Sequence, residues 1–231
     1  MNFGIRERGI VMKLKRVFFD LDGTLTDSMP GITKGVQYAL KHYGIRVDDL
    51  SVLKPFVGPP LSDSFQKYYN FSEKDADDAV YVFREYYDVK GWKDNAPFDG
   101  VKEMLESLRD AGLELYVATS KPEETAKRVL EYFHMTAYFK FIGGASLDEK
   151  RVNKDAVIRY VLAENGISEA ERSSVIMVGD REHDVNGAKK TGLPVIGVLY
   201  GYGSREELWS AGADYLCETP EETAKLIKSL M

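Results

Sequence analysis

The chain has 231 residues, a formal net charge of −6 at neutral pH and a single cysteine, Cys217. This length fits one large domain, or one domain that contains a smaller insertion. The acidic charge argues against binding to nucleic-acid polymers, which normally requires a basic face. One cysteine excludes an intrachain disulfide, so nothing indicates an oxidising compartment, and Cys217 is expected to pack in a short edge strand.

The apolar segments of the chain are short. None approaches the roughly 20 residues that a membrane-spanning helix needs, and residues 1–16 lack the continuous apolar region of a signal peptide. We therefore expect a soluble cytoplasmic protein without a membrane partner. Residues 1–11 are expected to form a loose extension.

Strand and helix patterns alternate along most of the chain, which favours a doubly wound, mostly parallel α/β sheet. Amphipathic helices are predicted over 100–112 and 153–166, the second with Asn153 as its N-cap. Uninterrupted apolar runs predict strands that are buried on both faces. The four clear strands are 16–21, 113–119, 174–180 and 193–200, and the two shorter candidates are 140–144 and 214–217.

Residues 29–95 break this alternation, because they contain helical patterns and no convincing buried strand. Helices are predicted over 31–44 and 75–91, and the prolines and glycine of 54–65 require a loop between them. We interpret 29–95 as an inserted helical cap. The α/β core is then formed by 13–28 together with 96–231.

Two acids, Asp20 and Asp22, follow directly after the first predicted strand. Carboxylates this close cannot both ionise cheaply without a cation, and Mg²⁺ is a suitable one because it prefers carboxylate oxygens. Gly23 allows a sharp turn just beyond them. The alternative is a simple polar turn, since Asp-Gly is a common hairpin dipeptide.

Three further polar groups follow other predicted elements. Thr119 and Ser120 end the second clear strand, where hydroxyls and free amides suit an anion, although simple helix capping is an alternative. Lys154 stands in the first turn of a helix, where it opposes the macrodipole and so suggests an anionic partner; Lys150 is its rival. Asp180 and Asp184 follow the third strand.

In a parallel sheet the carboxyl ends of the strands share one edge, where ligands bind in open α/β folds. Acids, hydroxyls, a lysine and further acids are therefore expected to meet there in that order along the chain. This combination favours metal-assisted phosphoryl transfer, which needs charge neutralisation and positioning.

The sequence resembles the haloacid-dehalogenase-like hydrolase superfamily. "DLDGTLTD" (20–27 with Leu21 between the acids) is similar to its first motif, "VATSK" (117–121) to the second, Lys154 to the third and "GDREHD" (179–184) to the fourth. The position of the helical insertion resembles the cap of phosphoglycolate-phosphatase-like and 5′-nucleotidase-like members. The resemblance covers about residues 15–220.

The resemblance implies a role for each matching residue. Asp20 would be the nucleophile that forms an aspartyl-phosphate, and Asp22 would be the general acid and base, with its backbone carbonyl on Mg²⁺. Lys154 would neutralise Asp20 and the phosphoryl group. Thr24 would orient Asp22 near the phosphate, and Thr119 and Ser120 would bind the phosphate. Four acids would surround Mg²⁺, namely Asp20, Asp22, Asp180 and Asp184.

The resulting hypothesis is a Mg²⁺-dependent phosphomonoesterase for a small phosphorylated metabolite, of the phosphoglycolate or nucleoside 5′-monophosphate class, acting as a monomer or homodimer. The alternatives are a sugar-phosphate mutase of the β-phosphoglucomutase type and a binding protein that keeps the fold without turnover. The loop near 57–67 is expected to select the substrate. His183, between the fourth-motif acids, is expected to be an exposed helix-start residue.

Overall fold

The computed structural model describes residues 13–146 and 150–231, so the predicted extension at 1–11 lies outside the described residues. The strands are β1 Arg16–Phe19, β2 Thr26–Asp27, β3 Ala96–Pro97, β4 Glu114–Pro122, β5 Phe141–Ala145, β6 Val175–Gly179, β7 Val195–Val198 and β8 Tyr215–Cys217. The α-helices are α1 Met29–His42, α2 Leu61–Tyr69, α3 Glu73–Tyr87, α4 Val101–Asp110, α5 Glu123–Tyr132, α6 Lys154–Glu164, α7 Glu182–Thr191, α8 Arg205–Ala211 and α9 Pro220–Ser229.

Six of these strands form a parallel sheet in the order β5-β4-β1-β6-β7-β8. Starting from β1, the chain adds β4 and β5 on one side of it and then β6, β7 and β8 on the other, as expected for a doubly wound sheet. This order confirms the predicted α/β class. The six strands correspond to the six runs that the sequence analysis identified. Cys217 is buried on the edge strand β8, in agreement with a packing role.

Side chains of the sheet alternate between two separate apolar layers. Val17 and Phe19 of β1 join the layer that extends into the cap, whereas Phe18 between them joins the layer under α6 and α7. A strand that is buried on both faces needs apolar residues at every position, which explains why these runs show no polar alternation. The strands are thus rigidly fixed from both sides, and their carboxyl ends form a stable platform.

The segment 29–95 is helical in the structure, with α1, α2 and α3 accompanied by two short 3₁₀ helices, Leu50–Phe56 between α1 and α2 and Gly91–Lys93 after α3. The structure contains the loop that was predicted within 54–65. The non-helical stretch is confined to 57–60, because Pro60 immediately precedes α2 and ends the extended segment there. Pro30 lies inside the first turn of α1, where its missing N–H costs no hydrogen bond.

The two short stretches of chain that connect the core to the helical segment pair with each other as β-strands. β2 and β3 form a two-residue antiparallel ribbon in which Thr26 lies opposite Pro97. The sequence analysis did not predict this ribbon, since two residues carry no periodic signal. It lies at the boundaries proposed for the cap, and we keep the division into 13–28 with 96–231 and 29–95 as a proposal.

The helical segment has an aromatic interior. Phe56 is 2% exposed, and the centre of its ring lies 5.1 Å from that of Phe65 and 5.7 Å from that of Tyr68. Phe65 also stacks on Phe71 at 5.6 Å. Most cap aromatics that could have faced a ligand are therefore used for packing.

Among the described residues, no helix combines the length and the apolar composition needed to cross a bilayer.

We expect Phe56→Ala to lower the free energy of unfolding by about 3–5 kcal/mol, because it removes a fully packed ring and leaves a cavity. Val52→Ala is the matched control in the same 3₁₀ helix, since Val52 is 58% exposed, and we expect a change within about 0.5 kcal/mol. Urea unfolding followed by circular dichroism measures both. Similar losses for the two variants would contradict the proposed aromatic interior.

Candidate active site

The three central strands place the predicted motifs side by side. Phe19 of β1 pairs with Val117 of β4 on one side and with Val178 of β6 on the other. Asp20 therefore lies level with Ala118 and Gly179, and Thr119 and Asp180 follow one residue later at the same carboxyl edge. Residues about 100 positions apart in the sequence meet because parallel pairing fixes this register.

Lys154 connects the nucleophile candidate to the fourth motif. Its Nζ lies 2.7 Å from Asp20 Oδ1 and 2.7 Å from Asp184 Oδ1, and it donates to the carbonyl of Ala118 at 3.1 Å. All three ionisable side chains are buried. Although Lys150 was a rival, its side chain is exposed, and Lys154 makes this contact because it begins α6 beneath the sheet edge.

Burial and charge set the protonation of this group. Burial raises the pKa of Asp20 to about 6, against the opposing attraction of Lys154. For Lys154, burial alone would lower the pKa, but the attraction of Asp184 and Asp20 is larger and raises it. The lysine therefore stays charged, and it stabilises the ionised form of the carboxylate beside it.

Asp180 is the acid without a lysine partner among the described residues. Its Oδ2 accepts from the backbone N–H of Tyr202 at 2.8 Å, and its Oδ1 accepts from the hydroxyl of Thr24 at 3.2 Å. Burial, followed by repulsion from Asp184 and Asp20, raises the pKa of Asp180 well above its usual value. An additional cation would relieve this unfavourable charge.

The contact with Thr24 corrects one detail of the sequence analysis. Thr24 was assigned to orient Asp22 and to approach the phosphate, but its hydroxyl lies on Asp180 instead. Gly23 adopts a positive φ of +87°, so the chain folds back and directs Thr24 toward β6. A side chain at position 23 would also collide with the carboxylate of Asp180, since its Cβ would lie 2.2 Å from Oδ2.

The buried acids fit a divalent metal ion. One carboxylate oxygen from each of Asp20, Asp180 and Asp184 lies within 4.8 Å of the other two. These are hard oxygen donors, and they are enclosed in a place where three carboxylates have one ammonium group between them. The charge excess and the donor type therefore both fit a divalent cation, and they do not identify which ion it is.

The loop 201–204 packs against the first motif and the acid cluster. The backbone at Gly201 passes so near the first motif that a Cβ would lie 2.2 Å from the carbonyl oxygen of Gly23. Between its glycines, Tyr202 donates its hydroxyl to Asp27 at 2.8 Å and accepts from the N–H of Met29 at 3.0 Å. This loop thus contacts both the acid cluster and the start of α1.

Asp22 lies apart from the metal group. Its two carboxylate oxygens are 3.1 and 2.9 Å from Nζ of Lys121, and that ammonium group also donates to the hydroxyl of Tyr87 at 2.7 Å. The sequence analysis quoted Lys121 within its second motif and gave it no role. Strand alternation could have found it, because residues 119 and 121 point to the same side of an extended chain.

The remaining predicted residues surround one cavity of about 510 Å³. Thr119 and Ser120 line it beside Asp20 and Asp22, and their phosphate-binding role stays a prediction. Asn153 is the N-cap residue of α6, as predicted, although its side chain makes no capping hydrogen bond, and it also lines the cavity.

The roof of the cavity comes from the helical segment. It includes 58–63, within the range 57–67 that was expected to select the substrate, together with Val80, Phe83 and Arg84 of α3. His183 does not line the cavity, and it is half-buried in the first turn of α7.

Residues 17–198 match the model of a family described as haloacid dehalogenase-like hydrolase. Since this match spans most of the chain, the protein belongs to that family, and the resemblance inferred from the four motifs is confirmed.

Individual relatives agree with this assignment. A 5′-nucleotidase from Pseudomonas aeruginosa is 43% identical over 210 residues, which cover 91% of this chain and 94% of that protein. The crystal structure of a predicted phosphatase from Clostridium acetobutylicum has a TM-score of 0.90 and 49% identity, covering 94% of this chain and 99% of that chain. The tyrosine-protein kinase PtkA from Mycobacterium tuberculosis is 41% identical over 187 residues, covering 81% of this chain and 62% of that protein.

Further curated relatives are named phosphoglycolate phosphatase. Because several of its relatives and structural neighbours are named as phosphatases, the protein is a phosphatase of the haloacid dehalogenase-like family.

We expect Mg²⁺ to raise the melting temperature of the protein, because a ligand that binds only the folded state stabilises it by about 2.7 kcal/mol at 100 times its dissociation constant. Asp180→Asn should abolish this shift, since it removes one of three ligands. Its metal-free melting temperature should not fall, because the variant also removes like-charge repulsion.

The matched control for this measurement is Asp214→Asn, in a carboxylate that pairs with Lys189 outside the cluster. It should retain the full metal-induced shift. A shift of unchanged size in Asp180→Asn would contradict the proposed ligand set. Differential scanning fluorimetry with and without chelator measures all three proteins.

Proposed function

We propose that this phosphatase is a Mg²⁺-dependent phosphomonoester hydrolase that acts through an aspartyl-phosphate on Asp20. The observation that supports it best is the position of Lys154, which lies 2.7 Å from both Asp20 and Asp184, directly beside the Asp20 carboxylate that lines the cavity. A charged lysine there keeps Asp20 ionised as a nucleophile and attracts a phosphoryl group to the same point.

The proposed reaction proceeds in two steps. In the first, a carboxylate oxygen of Asp20 attacks phosphorus, the P–O ester bond breaks and Asp22 gives a proton to the departing alkoxide. In the second, water attacks the aspartyl-phosphate, Asp22 accepts its proton and the bond from Asp20 to phosphorus breaks. The products are an alcohol and inorganic phosphate, and Asp20 and Asp22 return to their starting forms.

The other residues would position the phosphoryl group. Thr119 and the backbone N–H of Ser120 would donate to its oxygens, and Lys154 would balance its charge. Asp20, Asp180 and Asp184, with the backbone carbonyl of Asp22, would hold Mg²⁺. When bound, the ion would supply charge neutralisation for the phosphoryl oxygens.

We propose a small metabolite of the phosphoglycolate or nucleoside 5′-monophosphate class as the substrate. Both classes appear in the names of the relatives, and a cavity of about 510 Å³ accommodates either. The cytoplasmic location and a monomeric or homodimeric state remain predictions within this proposal.

We expect Asp20→Asn to lower the turnover of p-nitrophenyl phosphate by about 10⁴-fold or more, because an amide cannot form the covalent intermediate. Asp110→Asn, an exposed carboxylate at the end of α4, is the matched control and should keep wild-type activity. Phosphate release with Mg²⁺ present measures both.

Mass spectrometry of acid-quenched wild-type protein should also detect a phosphoryl adduct on Asp20 that the variant lacks. Full activity in Asp20→Asn would contradict the mechanism. A panel of phosphoglycolate, nucleoside monophosphates and hexose phosphates assigns the substrate, and isomerisation of a hexose phosphate without phosphate release would indicate the mutase alternative.

A further inference from the structure

Two lysines divide the four acids of the site into two groups. Lys154 contacts Asp20 and Asp184, which together with Asp180 form the candidate metal cluster. Lys121 contacts only Asp22 among these acids, through both carboxylate oxygens. The cluster therefore retains excess negative charge for a cation, whereas Asp22 has a lysine partner of its own.

Lys121 forms a buried ion pair with Asp22 and is not a surface residue that happens to lie near an acid. Its side chain is only 4% exposed, and that of Asp22 is 11% exposed. A buried ammonium group is costly unless its protons are used. Here they are directed to Asp22 and Tyr87, and no other side chain of the described residues is recorded as a hydrogen-bond partner of this Nζ.

The third member of this contact comes from the helical segment. Tyr87 is the last residue of α3, its ring stacks on Phe83 at 5.0 Å, and its hydroxyl accepts from Lys121 at 2.7 Å. The Nζ of Lys121 also lies 4.8 Å from the centre of the same ring. A chain of contacts thus runs from the helical segment through Lys121 to Asp22.

We propose that Lys121 is a positioning residue, which together with Tyr87 holds the Asp22 carboxylate in the orientation needed for proton transfer to the leaving group. This inference rests on the proposed function, in which Asp22 handles the proton. Since Tyr87 belongs to the segment above the cavity, its docking on the core would complete the orientation of Asp22.

The test uses leaving groups that differ in their need for a proton. An alkoxide must be protonated as it departs, whereas p-nitrophenolate is stable without a proton. We therefore expect Lys121→Met to lower kcat/KM by about 10²-fold or more for adenosine 5′-monophosphate or phosphoglycolate, whichever is the better substrate, and by less than about 10-fold for p-nitrophenyl phosphate. The ratio kcat/KM is chosen because it reports the first irreversible step.

Tyr87→Phe should also lower kcat/KM more for the alkyl phosphate than for p-nitrophenyl phosphate, but by only about 3- to 10-fold. The effect is smaller because this variant removes one hydrogen bond to Lys121 and keeps the ring. The matched controls are Tyr86→Phe, the preceding residue of α3, and Lys34→Met, whose lysine pairs with Asp94 at the surface. Neither residue lines the cavity, and both variants should behave like wild type on the two esters.

A double-variant cycle separates positioning from direct substrate binding. If Lys121 acts through Asp22, then adding Lys121→Met to Asp22→Asn should change kcat/KM by less than about 3-fold. Multiplicative losses, or equal losses of Lys121→Met on both esters, would overturn the inference. If the wild-type protein releases no phosphate from any ester, the proposed function itself fails, which is a different result.

Discussion

The site depends on one constraint, which is that four carboxylates are buried at a single edge of the sheet. Carboxylates in such a place repel one another and lose their hydration, so each needs a cation or hydrogen-bond donors nearby. Lys154 and Lys121 meet part of this need, and hydrogen bonds from Thr24 and Tyr202 meet part of the rest. The remaining negative charge is concentrated on Asp20, Asp180 and Asp184, where the geometry fits a metal ion.

This distribution of charge also explains how neighbouring residues of one motif come to differ in role. Asp20 and Asp22 are separated by one residue, yet Asp20 faces Lys154 and the metal cluster, whereas Asp22 faces Lys121. Gly23 makes the division possible because its positive φ turns the chain between β1 and β2. Asp20 and Asp22 thus have different electrostatic surroundings although one residue separates them.

The parallel sheet supplies the rigidity that this arrangement requires. β1 is paired on both sides and packed on both faces, so Asp20 emerges from the centre of the sheet. The helical segment contributes the roof of the cavity and, through Tyr87, a contact to Lys121. The acids thus stand at the edge of the packed sheet, while the roof of the cavity stands on the helical segment.

The sequence by itself determined the fold class, the six strands of the sheet and the convergence of the four motifs. Long apolar runs specify buried parallel strands, and parallel strands necessarily bring their carboxyl ends together. Only the tertiary structure decided that Thr24 serves Asp180, that Asn153 faces the cavity and that Lys121 pairs with Asp22. These contacts join residues that are far apart in the sequence, and local patterns do not encode which of them meet.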